Sequence, residues 1–179
     1  MEHSLPDRLE TRRLLLREPS AADAEAIFAA YAHDANVCRY MTWVPHASVE
    51  TVQEFVEAII ARRRAGEAMP YVIMDRSTDI LIGMIDARFF GRTVDIGYVL
   101  ARERWGEGLM PEAIRAVSDA ALANPQVFRV QATCDVENSA SARALEKAGF
   151  AREGRLARHT VMPNLSPEPR DCLMYARCR

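Results

Sequence analysis

The sequence has no apolar run long enough to cross a bilayer, no cysteines paired at metal-ligand spacing, and no Gly/Ser/Pro-rich linker. Each lack removes a class. A spanning helix needs about 20 consecutive apolar residues, so no membrane helix is expected. Zinc sites of the finger or ribbon kind need closely spaced cysteine pairs; Cys38, Cys134, Cys172 and Cys178 are scattered, and no metal is expected. The opening MEHSLPDRLE lacks the basic-then-apolar form of a secretion signal. The expectation is a soluble, reduced, cytoplasmic protein. An excess of positive charge is missing too: the net charge is −2 and the pI near 6.1, which argues against a nucleic-acid coat. The basic cluster Arg62, Arg63 and Arg64 ends a predicted helix, where cations are favourable in any protein. No repeat or low-complexity tract is present, and 179 residues suffice for one domain with a substantial core, expected to span 1–179.

The most informative stretch runs from Asp95 to Glu112, DIGYVLARERWGEGLMPE. Ile96, Tyr98 and Leu100 alternate with Asp95, Gly97 and Val99, the period-2 pattern of a strand. A charged turn follows, with Gly106 and Gly108 one residue apart, and a helix opens with Pro111 in its first turn, where proline is tolerated. Two such glycines either make a tight connection or turn successive N–H groups toward one point, where the helix dipole favours a phosphate.

The rest of the chain builds a frame around this stretch. Thr11 to Arg17 reads as a strand, and Ser20 starts a helix through Tyr31, whose Ile27, Phe28 and Tyr31 are core. The aperiodic NVCRYMTWVP concentrates Tyr40, Met41 and Trp43, which either close the core under a loop or line a pocket. Ser48 begins a long amphipathic helix that Gly66 ends. Tyr71 to Arg76, Ile80 to Phe90 and the Asp95 strand form an antiparallel meander, and a helix from Pro111 to Leu122 leads to a parallel strand, Val127 to Cys134. That crossover places the glycine turn at the carboxyl end of the sheet, where α/β proteins bind ligands. Asn138 starts a helix ending at Lys147, and Phe150 to His159 with Asp171 to Arg177 close the sheet around the proline-rich loop VMPNLSPEPR.

Three blocks in this order, DIGYVL with RWGEGLMPEAI, then CDVENSASARALEKAGFAREG, resemble the GNAT N-acetyltransferase superfamily, in its RimJ/RimL-like branch of ribosomal-protein N-terminal acetyltransferases. The resemblance covers nearly the whole chain. One departure is Glu103, where the superfamily usually has Gln or Arg three residues before the first turn glycine. The fold this implies is α+β: a mixed, mostly antiparallel sheet of about seven strands, splayed between the fourth and fifth, with helices on both faces.

The resemblance implies acetyl-CoA as co-substrate, held at Arg104, Trp105, Gly106, Glu107, Gly108, Leu109 and Met110, with backbone groups of Val99 and Ala101 and the side chain of Asn138 along its arm. It implies Asp95 as base toward the amine, directly or through water, and Ser141 as proton source for the departing thiolate; the tyrosine used there by many members is Leu145 here. Each has a plainer alternative: Asp95 as a solvated strand carboxylate, Asn138 as a helix cap. Tyr40 and Trp43 become acceptor-side candidates, and their segment and the Val161 to Arg170 loop are expected to flank an open groove. Cys134 near the helix start raises covalent catalysis, but nothing in sequence activates it, so direct transfer is expected. The expected acceptor is the α-amine of a protein or peptide N-terminus; a small-molecule amine, or an inactive CoA-binding sensor, is the alternative. No nucleic-acid or membrane partner is expected, and the enzyme is expected to be a monomer or homodimer.

Overall fold

The computed structural model describes residues 5–179. Its strands are β1 (Arg8–Glu10), β2 (Leu14–Arg17), β3 (Ala68–Asp75), β4 (Ile80–Phe90), β5 (Thr93–Leu100), β6 (Arg129–Asp135), β7 (Ala151–Val161) and β8 (Pro169–Cys178). They form one open sheet in the order β1-β2-β3-β4-β5-β6-β8-β7. The strand beyond the expected seven is β1, a short edge strand on β2. The closing pair also sits differently from chain order, since β8 returns to pair with β6 and leaves β7 outside.

Only β5 and β6 run parallel, and they are joined only at Thr93↔Arg129, Val94↔Val130 and Asp95↔Gln131. Beyond Asp95, β5 continues to Leu100 paired with β4 alone, and β6 continues to Asp135 paired with β8 alone. The sheet therefore splits between these two strands, as expected.

The helices are α1 (Ala24–Ile27), which continues as a π-turn over Phe28–Ala32, α2 (Ala35–Cys38), α3 (Val49–Arg64), α4 (Leu109–Ala123) and α5 (Ser139–Lys147). The helix expected from Ser20 to Tyr31 is one continuous segment that changes its winding along its length. Asp23 accepts from the Ser20 N–H at 2.7 Å and from Arg17 at 2.7 and 2.9 Å, which winds the first turn as a tight 3-10 segment, Ala21–Asp23. At the far end of α3, Glu67 N–H bonds the Arg62 carbonyl and Gly66 N–H the Arg63 carbonyl, with Gly66 at φ 72. This is the Schellman stop that glycine favours.

Strand alternation assigns the two faces. Val94, Ile96, Tyr98 and Leu100 pack with Ile114, Val117 and Leu145 under α4 and α5, while Val99 packs with Val52, Val56 and Ile59 under α1 and α3. Asp95 and Gly97 share the α3 face with Val99 by the same alternation.

β4 and β5 approach closely at Gly83, opposite Leu100 and beside a register shift in β4. A Cβ there would stand 2.4 Å from the Val99 carbonyl oxygen. Gly83→Ala must push the end of β5 away from β4, and it is expected to destabilise the protein by about 1–3 kcal/mol, as overpacking does. Urea denaturation of variant and wild type measures it.

Candidate active site

The glycine turn is held by side chains from three parts of the chain. Trp105 Nε1–H donates to the Leu100 carbonyl at 2.9 Å. Arg104 reaches Asp75 at the end of β3 at 2.6 Å and also binds Glu107. Hydrogen bonds from the Ser77 hydroxyl and N–H, and then Arg104, hold the Asp75 carboxyl down at about 2. From the other side Arg13 donates to the Glu107 and Gly108 carbonyls at 2.9 and 3.1 Å and pairs with Glu112 in α4. Burial opposes ionisation of Glu112, yet Thr11 and Arg13 outweigh it and hold its carboxyl below the usual range.

The side chains of Arg104, Trp105 and Glu107 are thus part of the frame, and those of Leu109 and Met110 are buried in the core. What the turn offers a ligand is backbone. Gly106 and Gly108 take φ 82 and 74, a region that L side chains enter at a cost. Gly108 is the N-cap of α4 and no side chain caps the helix. Free N–H groups at the positive end of a helix of this length suit a pyrophosphate.

Above the turn lies the split. Ala101 N–H donates to the Ile82 carbonyl at 2.8 Å, and its own carbonyl accepts from Arg104. Val99 and Ala101 therefore direct their N–H groups toward β4, and alternation turns those of Tyr98 and Leu100 toward the split. Of the backbone groups near Val99 and Ala101, the N–H groups that face the split are therefore those of Tyr98 and Leu100.

On the α3 face, at the closed end of the split, Asp95 is bonded by the Arg88 guanidinium and lies 3.4 Å from Gln131 Nε2. Asp86, two residues from Arg88 on β4 and opposite Gly97, shares this face. Burial pushes its carboxyl above the ordinary value, and Arg88 and Arg62 only partly oppose this. Neither Asp86 nor Arg88 stands out in sequence, because each lies in an ordinary strand pattern; only register brings them to Asp95.

On the opposite face, Ser141 Oγ and Tyr98 Oη are 2.8 Å apart. Asn138 accepts from the Ser141 N–H at 3.1 Å, capping α5, so its plainer role is present. Tyr98 is another residue that motif reading passed over, although a tyrosine on the apolar side of a strand signals a hydroxyl in need of a partner. Burial raises the Tyr98 phenol well above its ordinary value. It also pushes the Cys134 thiol up to about 11, despite an opposing hydrogen bond with Ser141. A thiol so held is a poor nucleophile, which favours direct transfer.

Tyr40 and Trp43 lie on the loop between α2 and α3. The Tyr40 hydroxyl reaches the Glu137 carbonyl at 3.5 Å, and Trp43 packs near His46, which in turn meets Phe55 of α3. Asn164, in the loop between β7 and β8, donates to the Cys38 and Trp43 carbonyls at 2.7 and 2.8 Å. The two segments expected to flank an open groove are therefore tied to each other, a contact over more than a hundred residues that no local pattern encodes. Among the described residues no group of acidic, histidine or cysteine side chains is arranged to hold a metal, and no helix is long and apolar enough to cross a membrane.

Comparison with known proteins bears on this arrangement directly. The family model for the acetyltransferase (GNAT) domain matches residues 13–151. The chain is 32% identical to the uncharacterized N-acetyltransferase p20 of Bacillus licheniformis over 155 residues, covering 84% of this chain and 85% of that protein. It is 25% identical over 131 residues to the ribosomal-protein-serine acetyltransferase of Escherichia coli, covering 67% and 72%. Among solved structures, that of RimL, the ribosomal L7/L12 alpha-N-protein acetyltransferase in complex with coenzyme A, superposes with a TM-score of 0.84 at 21% identity, over 96% of this chain and 97% of that one. A split mixed sheet, an uncapped helix start behind two glycines, and a family match across most of the chain place this protein among the acetyl-CoA-dependent N-acetyltransferases of the GNAT family.

Proposed function

We propose that this single domain, spanning 1–179, acetylates the α-amine of a protein or peptide N-terminus by direct transfer. The observation that carries this is the placement of polar groups on opposite faces of the split: carboxylates on the α3 face, a paired hydroxyl on the α5 face. An amine arriving from the first side and a thiol departing toward the second need not exchange places. The names of similar proteins add support, since one relative is named for ribosomal-protein serine acetylation and a protein of the same fold for α-N-acetylation of L7/L12. Four free cysteines suit a reducing cytoplasm.

The residues divide the work as follows. Within the turn from Arg104 to Met110 the N–H groups of Arg104 and Trp105 are bonded to the Ala101 and Arg102 carbonyls, so those from Gly106 onward hold the pyrophosphate of acetyl-CoA, whose thioester supplies an acyl group reactive toward amines. Asp95 accepts the proton of the incoming amine, directly or through one water. A hydroxyl pair can place only one hydrogen between its oxygens, so with Tyr98 as donor the Ser141 hydrogen is free to point at the departing thiolate. Charge builds on that sulfur as the acyl bond breaks, and a fixed donor stabilises it. An α-amine suits this modest machinery: its pKa is about 8 against roughly 10.4 for lysine, so far more of it is neutral near pH 7.

A small polyamine-like acceptor is the second reading. It is favoured by the Asn164 bonds, which close one side of the groove that an extended peptide would occupy.

Gly108→Val forces a β-branched residue to φ 74 with its Cβ 3.7 Å from the Arg13 guanidinium; the turn relieves that strain by shifting its N–H groups off the pyrophosphate, and about a tenfold loss of acetyl-CoA affinity or more is expected. Calorimetry on the folded variant measures it; unchanged affinity contradicts the placement. Asp95→Asn is expected to slow acetylation by roughly 10²-fold at neutral pH, with partial recovery as pH rises and the amine loses its proton unaided. Parallel pH–rate profiles of equal height remove Asp95 as base, and in the same assay Ser141→Ala should lower turnover while sparing acetyl-CoA affinity. The acceptor itself is identified by competition, offering peptides with free and blocked N-termini together with polyamines and aminoglycosides and locating the acetyl group by mass spectrometry. Label on small amines or internal lysines alone defeats the α-amine assignment, and acetyl-CoA binding without release of free CoA for any amine identifies a sensor.

A further inference from the structure

Asp86 is the acidic group of the α3 face to which the reaction above gives no part. In register it lies opposite Gly97, and Gly97, just past the last β5–β6 pair, places no side chain between Asp86 and the split. The Arg88 guanidinium fills that space instead, standing 3.3 Å from where a Gly97 Cβ would be. Arg88 bonds Asp95, not Asp86. Arg62 of α3 comes only to 3.6 Å of Asp86 Oδ2, too far for a hydrogen bond, and shares its charge with Glu67. Asp86 Oδ1 is buried and has no hydrogen-bond partner.

A carboxylate oxygen covered and unpaired is costly, and the chain leaves it so with a guanidinium close by. A further cation at this carboxylate would offset that cost. The 20% of the side chain that is exposed excludes the covered Oδ1, so a ligand's ammonium would meet the carboxylate from its Oδ2 edge, where Arg62 stands beyond hydrogen-bond distance. Asp95 is less available, since Arg88 and Gln131 already occupy one oxygen each.

We propose that Asp86 is the binding carboxylate for the acceptor's ammonium group, which docks on the α3 face between Asp86 and Asp95 before transfer. One proton leaves nitrogen for a carboxylate oxygen of this pair, the freed lone pair forms the C–N bond at the thioester carbonyl carbon, the C–S bond breaks as the second proton passes from nitrogen to the departing thiolate, and the carboxylic acid later returns its proton to solvent. The charged groups facing Asp86 are Arg88 on its own strand, Asp95 on β5, and Arg62 on α3 with Glu67 beyond it. Burial opposes its charged form more than the arginines favour it, which suits a group that takes a proton. This assignment rests on the reading of the split as an amine-transfer site.

The test is amine binding to the dead-end complex with CoA, which needs no turnover. A short serine-initiated peptide and spermidine are each titrated into wild type and Asp86→Asn. Amine affinity is expected to fall about tenfold or more in the variant with at least one probe, the loss of a charge-assisted contact, while CoA affinity holds. Because the folded-state proton affinity of Asp86 is raised, its contribution to stability is full at low pH and is lost as pH rises through the folded value. Asp86→Asn should therefore melt above wild type near pH 8 and lose that advantage near pH 4. A melting advantage with unchanged amine affinity makes Asp86 purely structural and overturns the proposal. So does failure of the wild-type complex to bind either amine. Spermidine binding that depends on Asp86, with no peptide binding, defeats the α-amine reading and leaves Asp86 in place.

Discussion

Three residue pairs hold β5 to β6, and the rest of the molecule depends on their stopping at Asp95 and Gln131. Every other neighbouring strand pair in the sheet is antiparallel. Past the join, the two strands each keep one partner and present unpaired main-chain groups to the gap. Main-chain donors and acceptors without partners are costly under cover, so such a gap favours a ligand with amide groups of its own, as a pantetheine arm has. The split also lets chemistry reach the centre of a sheet from both sides, which an intact sheet would forbid.

The glycine turn shows how much structure is needed to present a few bare N–H groups. Its side chains work outward: Trp105 to Leu100, Arg104 to Asp75, while Arg13 comes in from the far end of the sequence to the Glu107 and Gly108 carbonyls. These bonds link the turn to β3, to β5 and to the residue just before β2. Their energetic worth individually is modest, since Arg104 and Arg13 remain partly solvated. Their combined effect is to fix carbonyls on one side so that the N–H groups face the other, and preorganised dipoles lose little freedom when an anion binds.

The α3 face carries a tension between stability and use. Arg88 satisfies Asp95, and Asp86 is left with a buried, unpartnered oxygen. A sequence shaped only for stability would place an amide or an apolar residue there. On the other face the polar groups are satisfied in pairs, Tyr98 with Ser141 and Asn138 with the helix start, so the two faces differ in what they have left to offer a substrate.

Much of this was legible in the order of residues. Turn residues on either side bounded β4 at its observed ends, and period-2 alternation put Tyr98 and Asp95 on opposite faces; Gly66, Gly106 and Gly108 marked backbone conformations that other residues avoid; the three motif blocks carried the family resemblance. These are local signals, set by dihedral preference and side-chain period within a few residues. What the tertiary structure alone decided are the long-range choices: that β8 inserts beside β6, that Ala101 spends its N–H on Ile82, that Asn164 ties the Trp43 loop to the far side of the split, and that Asp86 comes to lie beside the Arg88–Asp95 pair. The pairing of distant strands and the competition of two carboxylates for one guanidinium depend on where whole elements pack, and a side chain's partners across that packing leave no periodic trace along the chain.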